Sequence, residues 1–259
     1  MYKVFLWLLK LGSIINLYFF GQTLIPPLEC VDNHLLIPAQ ILFIVSAYRC
    51  FFPVNYGTNA VLHDSFLSSI FITRLLATFV EVMYIYQFSY LIRSFNAGQI
   101  PLADLLSWLM VIQVIISQYF VWGAILTQRQ KLYFYEEMGW GVIFILYTIA
   151  SAILYYKLDN LGGRELLLQL NLLFGILYLP WQWIHLKSIW LSIKNQKVNQ
   201  DLHKSITWNL LMQGFYKSIQ VKNQTTKPED WGGIVGITWM FAYWVALIPA
   251  WLFLIIRIA

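Results

Sequence analysis

The sequence predicts an all-α fold, a polytopic transmembrane bundle of about seven spans with a cytoplasmic N-terminus, and three observations predict it. The 259-residue chain is 59% hydrophobic and only 11% charged, whereas soluble domains carry about 25% charged residues. Seven apolar runs are long enough, at 1.5 Å per helical residue, to cross a ~30 Å hydrocarbon core. Lys and Arg near the run ends divide eleven to four between the two faces. The richer set includes Lys3, Arg49, Arg129, Lys187, Lys197, Lys204, Lys217 and Lys227, and the poorer one is Arg93, Lys157, Arg164 and Arg257. That bias places the N-terminus and the long sixth loop in the cytoplasm and the C-terminus outside.

The expected spans are 4–25, 36–53, 66–92, 103–126, 135–156, 166–187 and 232–256. The first begins MYKVFLWLLK, with the basic start of a signal peptide. Lys10 interrupts its apolar core and no small-x-small cleavage site follows, so it reads as a retained span. The second is short and holds Pro38 and Gln40, features of a tilted, kinked or incomplete crossing. The third carries Arg74 and Glu81 near its middle. At ~100° per residue these fall on one stripe with Leu67, Phe71, Thr78, Ile85 and Phe88, which must face protein or water rather than lipid. The fifth opens on Glu136 and Glu137, the sixth contains Pro180 in LPWQWIHLK, and the seventh opens on Asp230 and Trp231. All of residues 1–259 form one integral membrane domain in this reading, with 188–230 a long cytoplasmic loop. Leu202, Ile206, Leu210, Phe215 and Ile219 recur there at helical intervals among basic residues, predicting an amphipathic helix. Asn223-Gln224-Thr225 matches a glycosylation acceptor that this topology keeps on the unmodified side.

Composition also excludes. The net charge of +5 would suggest nucleic acid in a soluble protein, but here the one-sided loop distribution accounts for it, so no nucleic-acid partner is expected. The 12 Trp, 16 Tyr and 18 Phe suit membrane interfaces and apolar cavities. Cys30 and Cys50 lie at opposite faces in this topology and form no disulfide or metal framework. No nucleophile elbow, HExxH, histidine box or Walker loop is present. His63 and His185 are the two histidines placed for an axial haem pair, but no spacing demands one, and Lys187 lies too near the membrane edge for a retinal lysine. The sequence therefore names no cofactor and no metal site.

Polar residues gather at one depth toward the inner face. The candidate catalytic set is Glu81, Arg74, His185 and Glu137, with Thr78, Gln182, His63, Asp64 and Trp181 as candidate substrate-binding residues. Glu81 is the expected acid/base, its proton affinity raised by burial, and Arg74 the orienting or balancing charge. The pair is separated by two helical turns and Arg74 leans toward the helix N-terminus, so each is expected to find a partner on another helix. Gln182 and His185, three apart, share a face. Glu136, Glu137 and Asp230 also have a simple reading, as carboxylates at positive helix ends.

Three functions stay open at this level. The leading one is an intramembrane enzyme or binder for a lipid-like or other apolar small molecule reached from the inner leaflet. The second is a small-molecule or ion transporter or channel whose path passes Arg74 and Glu81. The third is an accessory subunit whose charged stripe is buried against partner subunits in a membrane complex.

Overall fold

The computed structural model describes residues 2–26, 28, 31–158, 162–195 and 206–258. Among these are eight helices: α1 (Tyr2–Gln22), α2 (Asn33–Phe51), α3 (Ile70–Asn96), α4 (Pro101–Thr127), α5 (Gln130–Lys157), α6 (Gly163–Asn195), α7 (Trp208–Gln220) and α8 (Gly233–Ile258). All but α7 are long and apolar enough to cross a membrane, and the protein is an integral, multi-pass membrane protein. Exposed Ile176, Leu177 and Trp183 on α6 are 65–71% accessible, a placement suited to lipid rather than water. Cys30, Lys197, Leu202 and Lys204 lie outside the described residues.

Several expected boundaries move. The second span is complete: α2 has 19 residues with Pro38 inside it, a length of about 28 Å. The third helix starts at Ile70 rather than residue 66. Ser65 accepts from the Ser68 N–H and closes a separate 3₁₀ turn, Phe66–Ser68, after which Ser69 is extended. The fifth helix starts at Gln130, because Gln128 turns the chain through a left-handed conformation (φ 56°) directly after α4. The sixth continues through Pro180 to Asn195.

The chain divides into two compact units. The first comprises the residues up to Tyr84 and from Phe215 onward. It contains α1, α2, the first half of α3 and α8. The loops after α2 and before α8 meet in a small sheet of β1 (Val54–Asn55), β2 (Ala60–Val61) and β3 (Asn223–Gln224). In it β1 and β2 are antiparallel, and β2 and β3 are parallel, pairing Ala60 with Asn223 and Val61 with Gln224. Trp231, fully buried, donates its indole N–H to the Thr225 carbonyl at 3.0 Å. Gly232 (φ +76°) then turns the chain into α8 through a conformation that disfavours side chains.

Within α8, Ala242–Ala246 widen into a π turn, in which the Leu247 N–H reaches back to the Ala242 carbonyl. Pro249 follows within the next turn and carries no N–H, so the Val245 carbonyl has no donor four residues on. The Trp244 carbonyl accepts from Asn16 Nδ2 at 2.8 Å and Cys50 Sγ at 3.5 Å. These side chains tie the π turn to α1 and α2.

The second unit, Ile85–Gly214, holds the rest of α3 with α4, α5 and α6. Its helices approach closely at small residues, as helices do where lipid offers no hydrophobic drive to associate. A Cβ at Gly139 would sit 2.2 Å from Ser117 Oγ, and one at Gly175 would sit 2.1 Å from Thr148 Oγ1. Aromatic rings fill the interior: Phe144 lies 4.3 Å from Tyr178 and Phe88 stacks on Tyr147 at 4.9 Å between centroids.

Candidate functional site

The expected site residues fall into both units, and each group has its own chemistry. In the first unit, α3 presents Arg74 and Glu81, 3% and 4% exposed. They pair with each other. Arg74 Nη2 donates to Glu81 Oε2 at 2.5 Å and Nη1 to Oε1 at 3.3 Å. The expectation that Arg74 would lean away from Glu81, leaving each to a partner on another helix, is corrected to that extent: they meet each other. Positions seven apart differ by only ~20° around the helix. Glu81 leans back toward Arg74, and the long guanidinium stem spans the remaining distance. Thr78 lies between them in sequence, half-buried.

Sequence reasoning missed Arg49. Counted only among the charges near a span end, it lies in the last turn of α2 and is only 6% exposed. Its Nη1 donates to the Tyr56 hydroxyl and, at 3.4 Å, to the Thr73 carbonyl. Its guanidinium also faces the rings of Trp244 (4.7 Å) and Tyr56 (5.0 Å), and Arg74 lies 5.8 Å from the same Tyr56 ring. Trp244 lies in the π turn of α8. Tyr243, in the same turn, donates its hydroxyl to that of Tyr84 on α3 at 2.8 Å. One signal for Arg49 was available: it falls within the second apolar run, not beyond it.

His63 and Asp64 precede the 3₁₀ turn, outside the membrane-spanning helices. The His63 ring lies among Trp7, Phe51 and Phe52 at centroid distances of 6.0–6.3 Å. Desolvation there, with the nearby Lys10 ammonium second, holds its pKa below the usual histidine range. Asp64 is exposed and pairs with Lys222 Nζ at 3.3 Å. Asp230 accepts from Thr225 Oγ1 at 2.8 Å, in a 3₁₀ turn, Pro228–Trp231, ahead of α8.

In the second unit, α5 and α6 bring Glu137, Gln182 and His185 together. Gln182 Nε2 donates to the Glu137 carbonyl at 2.6 Å and to its Oε2 at 3.0 Å, while His185 Nε2 stands 3.5 Å from Oε1. Gln182 in turn accepts from the Tyr178 hydroxyl at 3.0 Å. Tyr178, Gln182 and His185 recur every three or four residues along one face of α6, so a single helix rotation presents all of them to Glu137. Because α5 starts five residues before the expected boundary, Glu136 and Glu137 lie beyond its first turn. The helix-end explanation for them therefore falls away, since dipole stabilisation fades beyond that turn. Glu136, 6% exposed, accepts from the Trp140 indole at 3.1 Å. Trp181, beside Gln182, is half-buried.

No protein-family model matches this chain, and no match to it was found among curated proteins or solved structures.

Proposed function

We propose that this membrane protein binds a lipid-like or other apolar small molecule and transforms it by acid/base chemistry, with Glu137 and His185 as the proton-transferring pair. The observation that carries the reading is how the Glu137 carboxylate is shared. One oxygen faces the Gln182 amide and the other the His185 imidazole. An amide fixes the carboxylate without neutralising it, and an imidazole can take or release a proton near neutral pH. Glu81 is less suited to be the mobile base, because one guanidinium occupies both its oxygens. Arg74 and Glu81 then serve as a charge-balanced pair in the first unit. The aromatic rings around Tyr178 supply apolar walls for a substrate with little polar surface.

The loop charges orient this end of α5 and α6 toward the inner leaflet, from which a lipid-soluble substrate would enter. A native mass spectrum of the protein in mild detergent identifies any retained molecule, and that molecule becomes the assay substrate. Glu137→Gln is expected to lower turnover by about 10²–10⁴-fold while retention of the molecule and the melting temperature persist. Wild-type turnover in this variant rejects the assignment.

A further inference from the structure

We infer that the buried cluster of Arg49, Arg74 and Tyr56 is a binding site for a terminal phosphate, a monoester carried on a lipid head group or inorganic phosphate free in solution. The inference concerns the first unit alone and does not depend on the proton-transfer reading.

It starts from charge. Arg49 and Arg74 are 6% and 3% exposed, and Arg74 holds both oxygens of the Glu81 carboxylate. Arg49 is left with neutral company among the described residues: a tyrosine hydroxyl, the Thr73 carbonyl and two aromatic faces. Its Nε is buried and has no hydrogen-bond partner. The C-terminal end of α2 supplies about half a negative charge at most, against a full positive one. Ring faces attract a cation but accept no guanidinium hydrogen bond of ordinary strength. A surplus cation so deeply desolvated is strongly disfavoured without an anion.

The neighbouring geometry suits an oxyanion. Tyr56, from the loop after α2, lies against both guanidiniums and brings a hydroxyl to the Arg49 side. Arginine forks match phosphate oxygens in paired, parallel hydrogen bonds. Depth points the same way. Arg49 lies in the last turn of a membrane-spanning helix and Arg74 in the second turn of the next, close to the level at which lipid phosphates sit. The π turn of α8 closes the far side by placing the Trp244 ring over Arg49.

The test uses the full chain, exchanged into phosphatidylcholine micelles and titrated with phosphatidic acid or with further phosphatidylcholine under native mass spectrometry. Wild type is expected to bind one phosphatidic acid per chain at least about ten-fold more tightly than phosphatidylcholine. Arg49→Gln should abolish that preference, and Arg49→Lys should weaken it about ten-fold, because an ammonium keeps the charge but loses the fork. Lys227→Gln, an exposed lysine in a loop of the same unit, should leave it unchanged. Competition by millimolar inorganic phosphate identifies a free-phosphate site, and its absence identifies a lipid head group; either supports the inference. Equal binding of the two lipids by wild type overturns it, as does a preference that survives in Arg49→Gln. Should that variant fail to accumulate, Arg49→Lys decides: an unweakened preference overturns the inference.

Discussion

Glu81 and Glu137 are both carboxylates on membrane-spanning helices, and their surroundings make them different groups. Glu81 has both oxygens on one guanidinium from its own helix, and the pair is buried to within a few per cent. Glu137 divides its oxygens between an amide and an imidazole brought by α6, and its side chain keeps 14% of its surface. The first arrangement fixes a charge and holds it. The second sets a carboxylate against an imidazole and, on the proposed function, is the pair between which a proton passes. In a bilayer, where any lone ion is disfavoured, the partner rather than the carboxylate decides what the site does.

Breaking the fixed pair should have the largest effect. Arg74→Ala leaves Glu81 buried without this guanidinium, and removal of one partner of such a pair destabilises by about 3–5 kcal/mol. The expected readout is loss of accumulation or a large fall in melting temperature in detergent. The double change Arg74→Met with Glu81→Leu should recover most of that loss, since apolar replacement of a whole buried pair is often neutral. A single Arg74→Ala variant as stable as wild type would mean that Glu81 is held by something other than this guanidinium.

The shared carboxylate should respond more mildly. Gln182→Leu removes the acceptor of the Tyr178 hydroxyl and a donor to Glu137, for which about 1–3 kcal/mol is expected. The loss should appear in stability and, on the proposed function, in turnover as well. If stability falls while turnover of the retained molecule stays at the wild-type level, Gln182 is structural and does not position Glu137.

The contrast explains what could be read from the sequence. Seven spans were legible because length and apolarity suffice to define them. The stripe of α3 placed Arg74 and Glu81 on one face, and the three-residue spacing of Gln182 and His185 did the same for α6. Their pairing was not legible in the same way. Whether Arg74 turns toward Glu81 depends on side-chain torsions that periodicity does not encode. Likewise the start of α5 depends on one left-handed residue, Gln128, whose identity does not announce that conformation. Arg49 was hidden by a different ambiguity. A basic residue at the end of an apolar run reads as an interfacial anchor, and only the folded contacts, the rings of Trp244 and Tyr56 among them, identify it as enclosed.

His63 gives the smallest effect and separates loop packing from membrane chemistry. Burial, and then the Lys10 ammonium, lower its folded-state pKa. The unfolded chain, with an ordinary value near 6.5, therefore takes up a proton first as pH falls. Stability should decline once pH drops below about 6.5 and stop declining below the folded-state value, because the unfolded state binds more protons only between the two. Thermal melts from pH 7.5 to 5 should show this slope in wild type, superimposed on that of the carboxylates. His63→Phe keeps an aromatic ring among Trp7, Phe51 and Phe52 and should remove the His63 part of the slope. Lys10→Met should reduce it without abolishing it, since desolvation is the larger cause. Identical slopes in wild type and His63→Phe would place the acid sensitivity elsewhere. Glu137–His185 would then be the next pair to test, through the pH dependence of turnover rather than of melting.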